Sequence, residues 1–347
     1  MEIKELVNYL KNYDGKKITI MEVCGSHTAA IAKNGIRAIL SDKINLISGP
    51  GCPVCVTPSA YIDKLIELSL EPNTVVATFG DLIRVPGSTD SLQSAKSRGA
   101  KVAMVYSPLD VINLAKENPD KQYVFAAVGF ETTTPVYTIL LDQAIKNGLE
   151  NIKLLTALKT MPEVISMLLK DEESIIDGFI APGHVCAVTG YEIFEPLCET
   201  YNIPFSVSGF EGEELIIAIY GLVKMIVEGR SAVENYYTSA VSREANPKVM
   251  AQIDKYYTKG DATWRGVGLV KNSGMYLKDS YKHFDAGSFG LDTDIKKNAA
   301  CKCGEILKGK AKTSDCPLFK KVCTPQNPQG ACMVSYEGGC YHAYEES

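Results

Sequence analysis

Two cysteines three positions apart are the first residues in this sequence with the types and spacing to do chemistry. Cys52 and Cys55 form a C-x-x-C inside "ISGPGCPVCVTP" (47–58), where an apolar run stops and prolines and glycines stiffen the following loop. Such a pair is a zinc half-site, a thioredoxin-like redox dithiol, or two inert cysteines in a turn. Zinc needs a second pair at finger-like spacing, and none follows. A helical pattern begins at residue 61, which favours the dithiol because a helix N-terminus lowers a thiol pKa.

Six further cysteines lie in the last 47 residues, with the spacing C-x-C-x12-C-x6-C-x8-C-x7-C. One [4Fe–4S] cluster uses four thiolates, so two thiols remain that could form a redox pair beside it. Structural zinc usually takes closely paired ligands, and these wide, unequal gaps fit that arrangement poorly. The spacing therefore favours iron–sulfur chemistry over zinc. The six residues are Cys301, Cys303, Cys316, Cys323, Cys332 and Cys340.

Four more residues with catalytic potential follow apolar runs. Cys24 and His27 in "CGSHT" have the spacing of a nucleophile with its base, or of a metal thiolate with a proton-handling histidine. His184 in "APGHV" and Glu131 in "GFETT" are candidates for the same site. His27 and His184 also have a structural interpretation as capping or solvent-facing histidines, and Glu131 has one as an acidic charge at a helix N-terminus.

Alternating strand-like and helical patterns predict the frame that positions these residues. Near-continuous apolar runs separated by helices indicate parallel sheets covered on both faces. The runs come in two sets of four with similar spacing, which predicts two similar α/β domains, residues 1–118 and 119–230. The expected strands span residues 17–23, 44–49, 74–80, 101–106, 123–129, 152–159, 177–183 and 203–209.

The last part of the chain has a different pattern. A helix is predicted over residues 212–229, and helical patterns continue over residues 231–257. From about residue 295 the chain is rich in cysteine, proline and glycine, so it cannot build its own core and needs a metal centre or disulfides. We therefore expect residues 231–347 to form a mainly helical, Cys-rich [4Fe–4S] domain.

The residues with catalytic potential all follow predicted strands. In open parallel sheets, ligands bind beyond the carboxyl ends of the strands. The loops that carry Cys24, the C-x-x-C, Glu131 and His184 should therefore face one another across a cleft. No phosphate-binding loop and no G-x-G-x-x-G after a strand indicates a nucleotide there.

Composition narrows the class of protein. The 347 residues carry a net charge of −5 and no block of Lys or Arg, which argues against nucleic acid as a main partner. The N-terminal segment predicts an amphipathic helix rather than a signal peptide, and the most apolar stretch, 215–223, is too short to span a bilayer. We predict a cytoplasmic protein, in which eleven cysteines indicate metal or redox work rather than disulfides. Cys186 and Cys198 stand alone and are expected to be ordinary semi-buried thiols.

Taken together, seven motifs resemble the HypD family of hydrogenase maturation factors. They follow the family's order across nearly the whole chain, which makes the resemblance specific. Ser26 stands where the family more often has threonine, another small hydroxyl residue. The motifs are "MEVCGSHT", "ISGPGCPVCVTP", "FGDLIRVPGS", "VYSPLD", "GFETTTP", "APGHV" and "CTPQNPQGACMVSYEGGC".

The resemblance implies a role in assembling the Fe(CN)2CO unit of [NiFe] hydrogenases. Family members form a complex with the small chaperone HypC and receive cyanide from HypE. Cys24 would hold the iron together with a HypC cysteine, and Cys52 with Cys55 would be a redox-active dithiol. The partner should dock on an apolar patch near Cys24.

The tail also resembles that of ferredoxin:thioredoxin reductase, where a disulfide lies beside a [4Fe–4S] cluster. This analogy implies a relay of electrons from the cluster through thiols to the C-x-x-C and the iron site. By the same analogy the redox pair is Cys303 and Cys332, and the cluster ligands are Cys301, Cys316, Cys323 and Cys340.

Two other functions use some of the same residues. A cluster-dependent thiol–disulfide reductase that acts on other proteins needs the cluster and the C-x-x-C but has no use for Cys24 or His27. A zinc-stabilised binding protein needs the tail cysteines and carries out no redox chemistry.

Overall fold

The structure is a computed structural model that describes residues 2–296 and 298–346. Strands and helices alternate along most of these residues. The described strands are β1 (Ile18–Glu22), β2 (Ile44–Ser48), β3 (Thr74–Thr78), β4 (Val102–Met104), β5 (Gln122–Gly129), β6 (Ile152–Lys159), β7 (Gly178–Pro182), β8 (Phe205–Ser208), β9 (Val233–Asn235), β10 (Tyr257–Trp264) and β11 (Gly268–Leu277). The described α-helices are α1 (Ile3–Lys11), α2 (Gly25–Lys33), α3 (Ser59–Leu70), α4 (Leu92–Ala95), α5 (Asp110–Glu117), α6 (Thr134–Lys146), α7 (Met161–Leu169), α8 (Gly183–Thr189), α9 (Glu195–Tyr201), α10 (Gly212–Glu228), α11 (Pro247–Tyr256), α12 (Cys303–Leu307) and α13 (Gly339–Glu345).

The first sheet has the strand order β2-β1-β7-β8-β9, and all of these neighbours are parallel. Both of its faces are covered, and β1 is buried along its whole length. Ile18 and Ile20 pack with residues of α1 and α10 on one face, whereas Met21 belongs to the core on the other face. Successive side chains of a strand point to opposite faces of the sheet, so the apolar side chains of β1 are shared between the two layers of helices that cover it.

The second sheet has the strand order β10-β11-β6-β5-β3-β4. Strands β6, β5, β3 and β4 are parallel, and the hairpin β10–β11 adds an antiparallel edge. Along β5, Val124 and Ala126 face one core while Tyr123 and Phe125 face the other. This sheet is therefore also buried on both faces, as parallel strands require.

The expected α/β class with two mostly parallel sheets is confirmed, and all eight expected strands are present. The expected grouping of the strands is wrong. Strands β1 and β2 pair with β7 and β8, and β3 and β4 pair with β5 and β6, so each sheet takes strands from both expected domains. The apolar pattern shows that a strand is buried on both faces, but it does not specify which strand lies beside it. Whether residues 118 and 230 bound separate folding units stays a prediction.

Residues 231–295 differ most from expectation. The helical pattern over residues 231–257 was expected to form a helix, but the structure has the short strand β9, a loop, and α11 only from Pro247. Asn246 begins α11, because its side-chain oxygen accepts hydrogen bonds from the N–H groups of Lys248 and Val249. The hairpin β10–β11 replaces the expected helical content and completes the second sheet. Among the described residues, no helix has the length and apolar character needed to cross a membrane.

The Cys-rich tail packs onto the sheets rather than folding apart from them. Residues 298–346 contain the short helices α12 and α13 joined by turns. Leu318, Met333 and Val334 are buried in the same hydrophobic cluster as Val23 and Val54 of the first strand-end loops. The tail thus obtains a core by sharing one, which places its cysteines next to the C-x-x-C.

The loop that carries the C-x-x-C is held against the end of β1 by backbone contacts. The N–H of Gly25 donates to the carbonyl of Gly51 across 2.8 Å, and the N–H of Gly49 donates to the carbonyl of Glu22 across 2.7 Å. A Cβ atom at Gly51 would lie 2.2 Å from the backbone nitrogen of Cys24. Only glycine allows the two strand-end loops to approach this closely.

We predict that Gly51→Ala destabilises the fold by about 3 kcal/mol, because backbone atoms surround the new methyl group and cannot rotate away. Gly80→Ala is the matched control, since its Cβ would meet only the flexible side chain of Met104, at 3.2 Å. Chemical denaturation of both variants measures the difference. Equal losses in the two variants would show that the loop tolerates displacement from β1.

Candidate functional site

The strand-end loops of both sheets carry the residues with catalytic potential. Cys24 follows β1, the C-x-x-C follows β2, and His184 lies in the first turn of α8 after β7. Glu131 follows β5 in the second sheet. The Gly51 contact joins the first two loops directly.

Cys24 is a buried thiol at the N-terminus of α2. Its N–H donates to Oε2 of Glu22 across 3.0 Å, and the backbone N–H groups of Ser26 and His27 point at its sulfur. Burial raises the pKa of Cys24 to about 12 in spite of these donors, and the carboxyl groups of Glu337 and Glu22 raise it further. The free thiol therefore keeps its proton, and a thiolate at this position needs a cation beside it.

Two carboxyl groups next to Cys24 have no part in the sequence predictions. Burial raises the pKa of Glu22, which accepts a hydrogen bond from the hydroxyl of Thr28. Burial also raises the pKa of Glu337, which accepts a hydrogen bond from Ser26 Oγ across 3.2 Å. Glu22 lies inside "MEVCGSHT" and Glu337 inside "SYEGGC", so their place in the motifs was the available signal.

His27 is fully buried and fixed by the end of β8. Its Nε2 lies 3.1 Å from the carbonyl oxygen of Ser208 and 3.0 Å from that of Gly209, so Nε2 must carry the proton and donate it. Nδ1 is then an unprotonated nitrogen, buried and without a partner among the described residues. Burial lowers the pKa of His27 to about 4. A high thiol pKa beside a low imidazole pKa is the reverse of what a thiolate–imidazolium nucleophile needs.

An aromatic stack connects the two histidines. The ring of His27 lies 4.7 Å from that of Phe210, and Phe210 lies 3.8 Å from the ring of His184. His184 is exposed, whereas His27 is not. The stack therefore joins a buried imidazole to one that meets solvent.

Glu131 is buried at the N-terminus of α7. Its Oε1 accepts the N–H of Met161 across 2.8 Å, and Oε2 is buried without a hydrogen-bond partner among the described residues. Burial raises the pKa of Glu131 to about 7. Cys186, expected to be an ordinary thiol, is fully buried, and burial and the charges of Glu131 and Cys24 raise its pKa.

A chain of thiols runs from the C-x-x-C into the tail. The N–H of Cys55 lies 3.2 Å from Sγ of Cys52, as in a tight turn, and α3 begins only at Ser59. The thiol of Cys55 is hydrogen-bonded to that of Cys332, which in turn contacts Cys303. Hydrogen bonds from Cys303 and Cys55 lower the pKa of Cys332 to about 6, whereas burial raises the pKa of Cys55.

Cys303 joins the remaining tail thiols. Its sulfur lies 3.4 Å from that of Cys301 and is hydrogen-bonded to that of Cys340. Burial raises the pKa of Cys323, and the nearby Cys303 and Cys301 raise it further. Gly330 also lies beside these thiols, since a Cβ atom at this position would be 2.8 Å from Sγ of Cys303. Five of the six tail cysteines are therefore neighbours.

The tail thiols fit an iron–sulfur cluster in donor chemistry. Cys316 shares their hydrophobic cluster but takes no part in the sulfur contacts described above. In the described part of the chain, no three His, Cys, Asp or Glu side chains are arranged to hold a metal ion as they stand. Clustered thiolates, with a glycine that leaves space beside two of them, are compatible with metal binding.

Comparison with known proteins identifies relatives over the whole chain. The model of the family described as "HypD: Hydrogenase formation hypA family" matches residues 1–347. The chain is 40% identical over 346 residues to hydrogenase maturation factor HypD of Rhodobacter capsulatus, covering 98% of this chain and 92% of that protein. It is 39% identical over 346 residues to that of Escherichia coli (99% and 93%) and 39% identical over 340 residues to that of Azotobacter vinelandii (95% and 90%).

We predict that the Glu131→Gln variant gains stability relative to the unsubstituted protein as the pH rises. The folded-state pKa of about 7 lies above the ordinary value of 4.5, so the proton on Glu131 stabilises the fold below pH 4.5 and is lost as the pH rises through 7. Gln keeps an acceptor for Met161 and does not ionise. Between pH 5 and pH 8, the unfolding free energy of the variant should gain about 2 kcal/mol relative to the unsubstituted protein.

Urea titrations at both pH values test this prediction. The same substitution at the exposed Glu213 is the control and should show no such gain. A constant difference between Glu131→Gln and the parent protein at pH 5 and pH 8 would mean that Glu131 is ionised throughout.

Proposed function

We propose that this chain, which belongs to the HypD family of hydrogenase formation proteins, is a scaffold on which the Fe(CN)2CO unit of [NiFe] hydrogenases is assembled. The observation that carries the proposal is the series of thiol contacts from the tail through Cys332 to Cys55, in a loop whose Gly51 packs against the backbone of Cys24. It connects a potential electron source with the loop that lies beside the buried thiol of Cys24.

In this proposal Cys24 holds the iron, which is cargo, together with a cysteine of a HypC-type chaperone. Low-spin iron with cyanide and CO suits soft thiolate donors. The cation takes the place of the proton that burial otherwise keeps on Cys24. His184 is the exposed histidine of the cleft, and His27 and Glu131 are neutral groups able to accept or hold a proton.

A [4Fe–4S] cluster is the proposed resident cofactor, with Cys301, Cys316, Cys323 and Cys340 as ligands. When bound, it supplies single electrons to the neighbouring thiols. Cys303 and Cys332 are then the spare redox pair, and their mutual contact and that of Cys332 with Cys55 support this assignment.

The proposed thiol step uses groups that are already in contact. The thiolate of Cys332 attacks Cys55 in a Cys52–Cys55 disulfide, and the electron pair of the broken S–S bond moves to Cys52. Cys303 then attacks Cys332, which releases Cys55 as a thiolate and leaves a Cys303–Cys332 disulfide. Two electrons pass to the C-x-x-C. Because Cys332 enters as a thiolate, one proton is lost, that of Cys303, and it is taken up at Cys52, while Cys55 is left as a thiolate.

The alternative function, reduction of disulfides in other proteins, fits the geometry less well. Cys52 and Cys55 are 3% and 2% exposed, and a disulfide of a protein substrate must reach one of these sulfurs. The reductase also has no role for Cys24, which the structure packs against the same loop.

The proposed partners are a HypC-type chaperone and a HypE-type cyanide donor, working in the cytoplasm. Met104, Tyr106 and Leu109 are exposed apolar side chains at the carboxyl end of β4. Met104 approaches Gly80, and the neighbouring Asp81 is electrostatically coupled to Glu337 beside Cys24. This exposed apolar patch supports chaperone docking near the loop of Cys24.

We predict that Cys24→Ala abolishes the cyanide and CO infrared bands of the complex with the chaperone, because the iron loses a ligand. The fold and the tail cluster should be unchanged, since Cys24 is not among the tail thiols. Cys198→Ala removes another buried thiol, in α9, and is the control that should keep the bands. Normal band intensity in Cys24→Ala would refute the iron-ligand role.

We also predict that Cys316→Ala and Cys323→Ala each lose the tail cluster. Anaerobically purified variants should lack the brown visible absorption and the bound iron of the parent protein, while Cys332→Ala, which removes a spare thiol, should keep both. Full iron content in Cys316→Ala or Cys323→Ala would require a different ligand set.

A further inference from the structure

Arg265 is a buried arginine tied to the C-x-x-C loop. It follows β10 directly, is 9% exposed, and its backbone N–H donates to the carbonyl of Val56, the residue after Cys55, across 2.8 Å. Its Nη2 donates to the carbonyl of Pro86 across 2.7 Å, and its Nε lies 3.6 Å from Oδ1 of Asp294. These contacts hold the guanidinium group in one orientation.

One end of this guanidinium has no partner. Nη1 is shielded from solvent and has no hydrogen-bond acceptor among the described residues. A buried cationic donor in that state is costly unless a negative charge appears beside it. The carboxylate of Asp294 lies near Arg265, but it faces Nε and also accepts the N–H of Gly266.

The cavity beside Arg265 contains the groups that could supply such a negative charge. Arg265 lines a cavity of ≈ 20 Å³ together with Cys55, Cys301, Cys303 and Lys296. Its volume is that of about one water molecule, too small for an organic ligand. Lys296 is an exposed residue whose amine donates to the carbonyl of Cys301, so its charge is largely solvated. Asp294 also lines this cavity, but its carboxylate already faces Nε of Arg265 and accepts the N–H of Gly266. The groups in the cavity that can newly become anionic are therefore thiols.

We propose that Arg265 is the charge partner of Cys55, stabilising the thiolate that leaves when the Cys52–Cys55 disulfide is reduced. This inference rests on the proposed thiol step, in which Cys55 is released with the electron pair of its bond to Cys332. Arg265 makes the reduced C-x-x-C more favourable and so gives its disulfide a higher reduction potential. In general, a group that stabilises the reduced form of a dithiol raises the reduction potential of its disulfide.

The test measures the Cys52–Cys55 equilibrium in the full chain, purified anaerobically with its cluster. The protein is equilibrated in dithiothreitol buffers of graded potential, its thiols are trapped by alkylation, and the peptide that contains both cysteines is quantified by mass spectrometry. Arg265→Gln should lower the equilibrium constant for reduction about tenfold, or ~30 mV. Arg265→Lys keeps the charge and should stay within about twofold of the parent protein.

The matched control is Arg84→Gln. Arg84 is an exposed arginine that also donates to a proline carbonyl, that of Pro325, but does not line the cavity. Its substitution should leave the equilibrium unchanged. A second variant, Asp294→Asn, removes the carboxylate next to Arg265 and should shift the equilibrium constant in the opposite direction, about threefold upward.

Two results overturn the role of Arg265: a shift of less than twofold in Arg265→Gln, or an equal shift in Arg265→Lys and Arg265→Gln. If Arg265→Gln does not fold, the Asp294→Asn variant provides the test instead. An unchanged equilibrium constant for reduction of the Cys52–Cys55 disulfide in that variant overturns the proposal. If the parent protein forms no Cys52–Cys55 disulfide at any potential, the thiol step fails and this inference fails with it. If the parent protein does form the Cys52–Cys55 disulfide and Arg265→Gln leaves its equilibrium constant unchanged, only the role of Arg265 is refuted and the thiol step stands.

Discussion

The contact between the backbone of Gly51 and that of Cys24 is the constraint on which the rest of the site depends. It brings the loops after two neighbouring strands, β1 and β2, within van der Waals distance where any side chain would collide. The C-x-x-C therefore lies beside Cys24 because of backbone geometry rather than through side-chain bonds.

Burial without compensating charge gives the residues around Cys24 their chemical character. It raises the pKa of Cys24, Glu22 and Glu131 and lowers that of His27, so each group favours its neutral form. Such an environment is poorly suited to a charged nucleophile. A cation that displaces the proton of Cys24 would gain a thiolate together with nearby carboxylates, which is the behaviour expected of a metal-holding site.

The tail thiols owe their geometry to packing shared with the sheets. Leu318, Met333 and Val334 belong to the same buried cluster as Val54 and Val56. The contact between Cys332 and Cys55 is thus maintained by apolar burial on both sides. Two segments that are almost 280 residues apart in the chain form one thiol network because they share one core.

Local pattern was sufficient for most elements up to residue 230 and for the residue types of the site. Unbroken apolar runs identified eight of the eleven described strands, since burial on both faces requires such runs, but they missed β9 and the hairpin β10–β11. Cysteine spacing and the motifs identified the family and most of the chemical groups, because these signals lie within short segments. Cys186 and Arg265 carried no such local signal of a role, and Glu22 and Glu337 were marked only by their place inside two motifs.

Tertiary structure alone decided which strands are neighbours and which groups meet. Strand pairing between β1 and β7 and between β3 and β5 depends on the course of the crossover helices, and a strand's own residues do not encode its partner. The pKa values of Glu131 and His27 and the unpartnered Nη1 of Arg265 arise from burial by distant segments. The sequence by itself therefore determined most of the elements before residue 231, the family and the kinds of donor, while the packing of remote segments determined the hairpin edge of the second sheet and the charge and contacts of the donors.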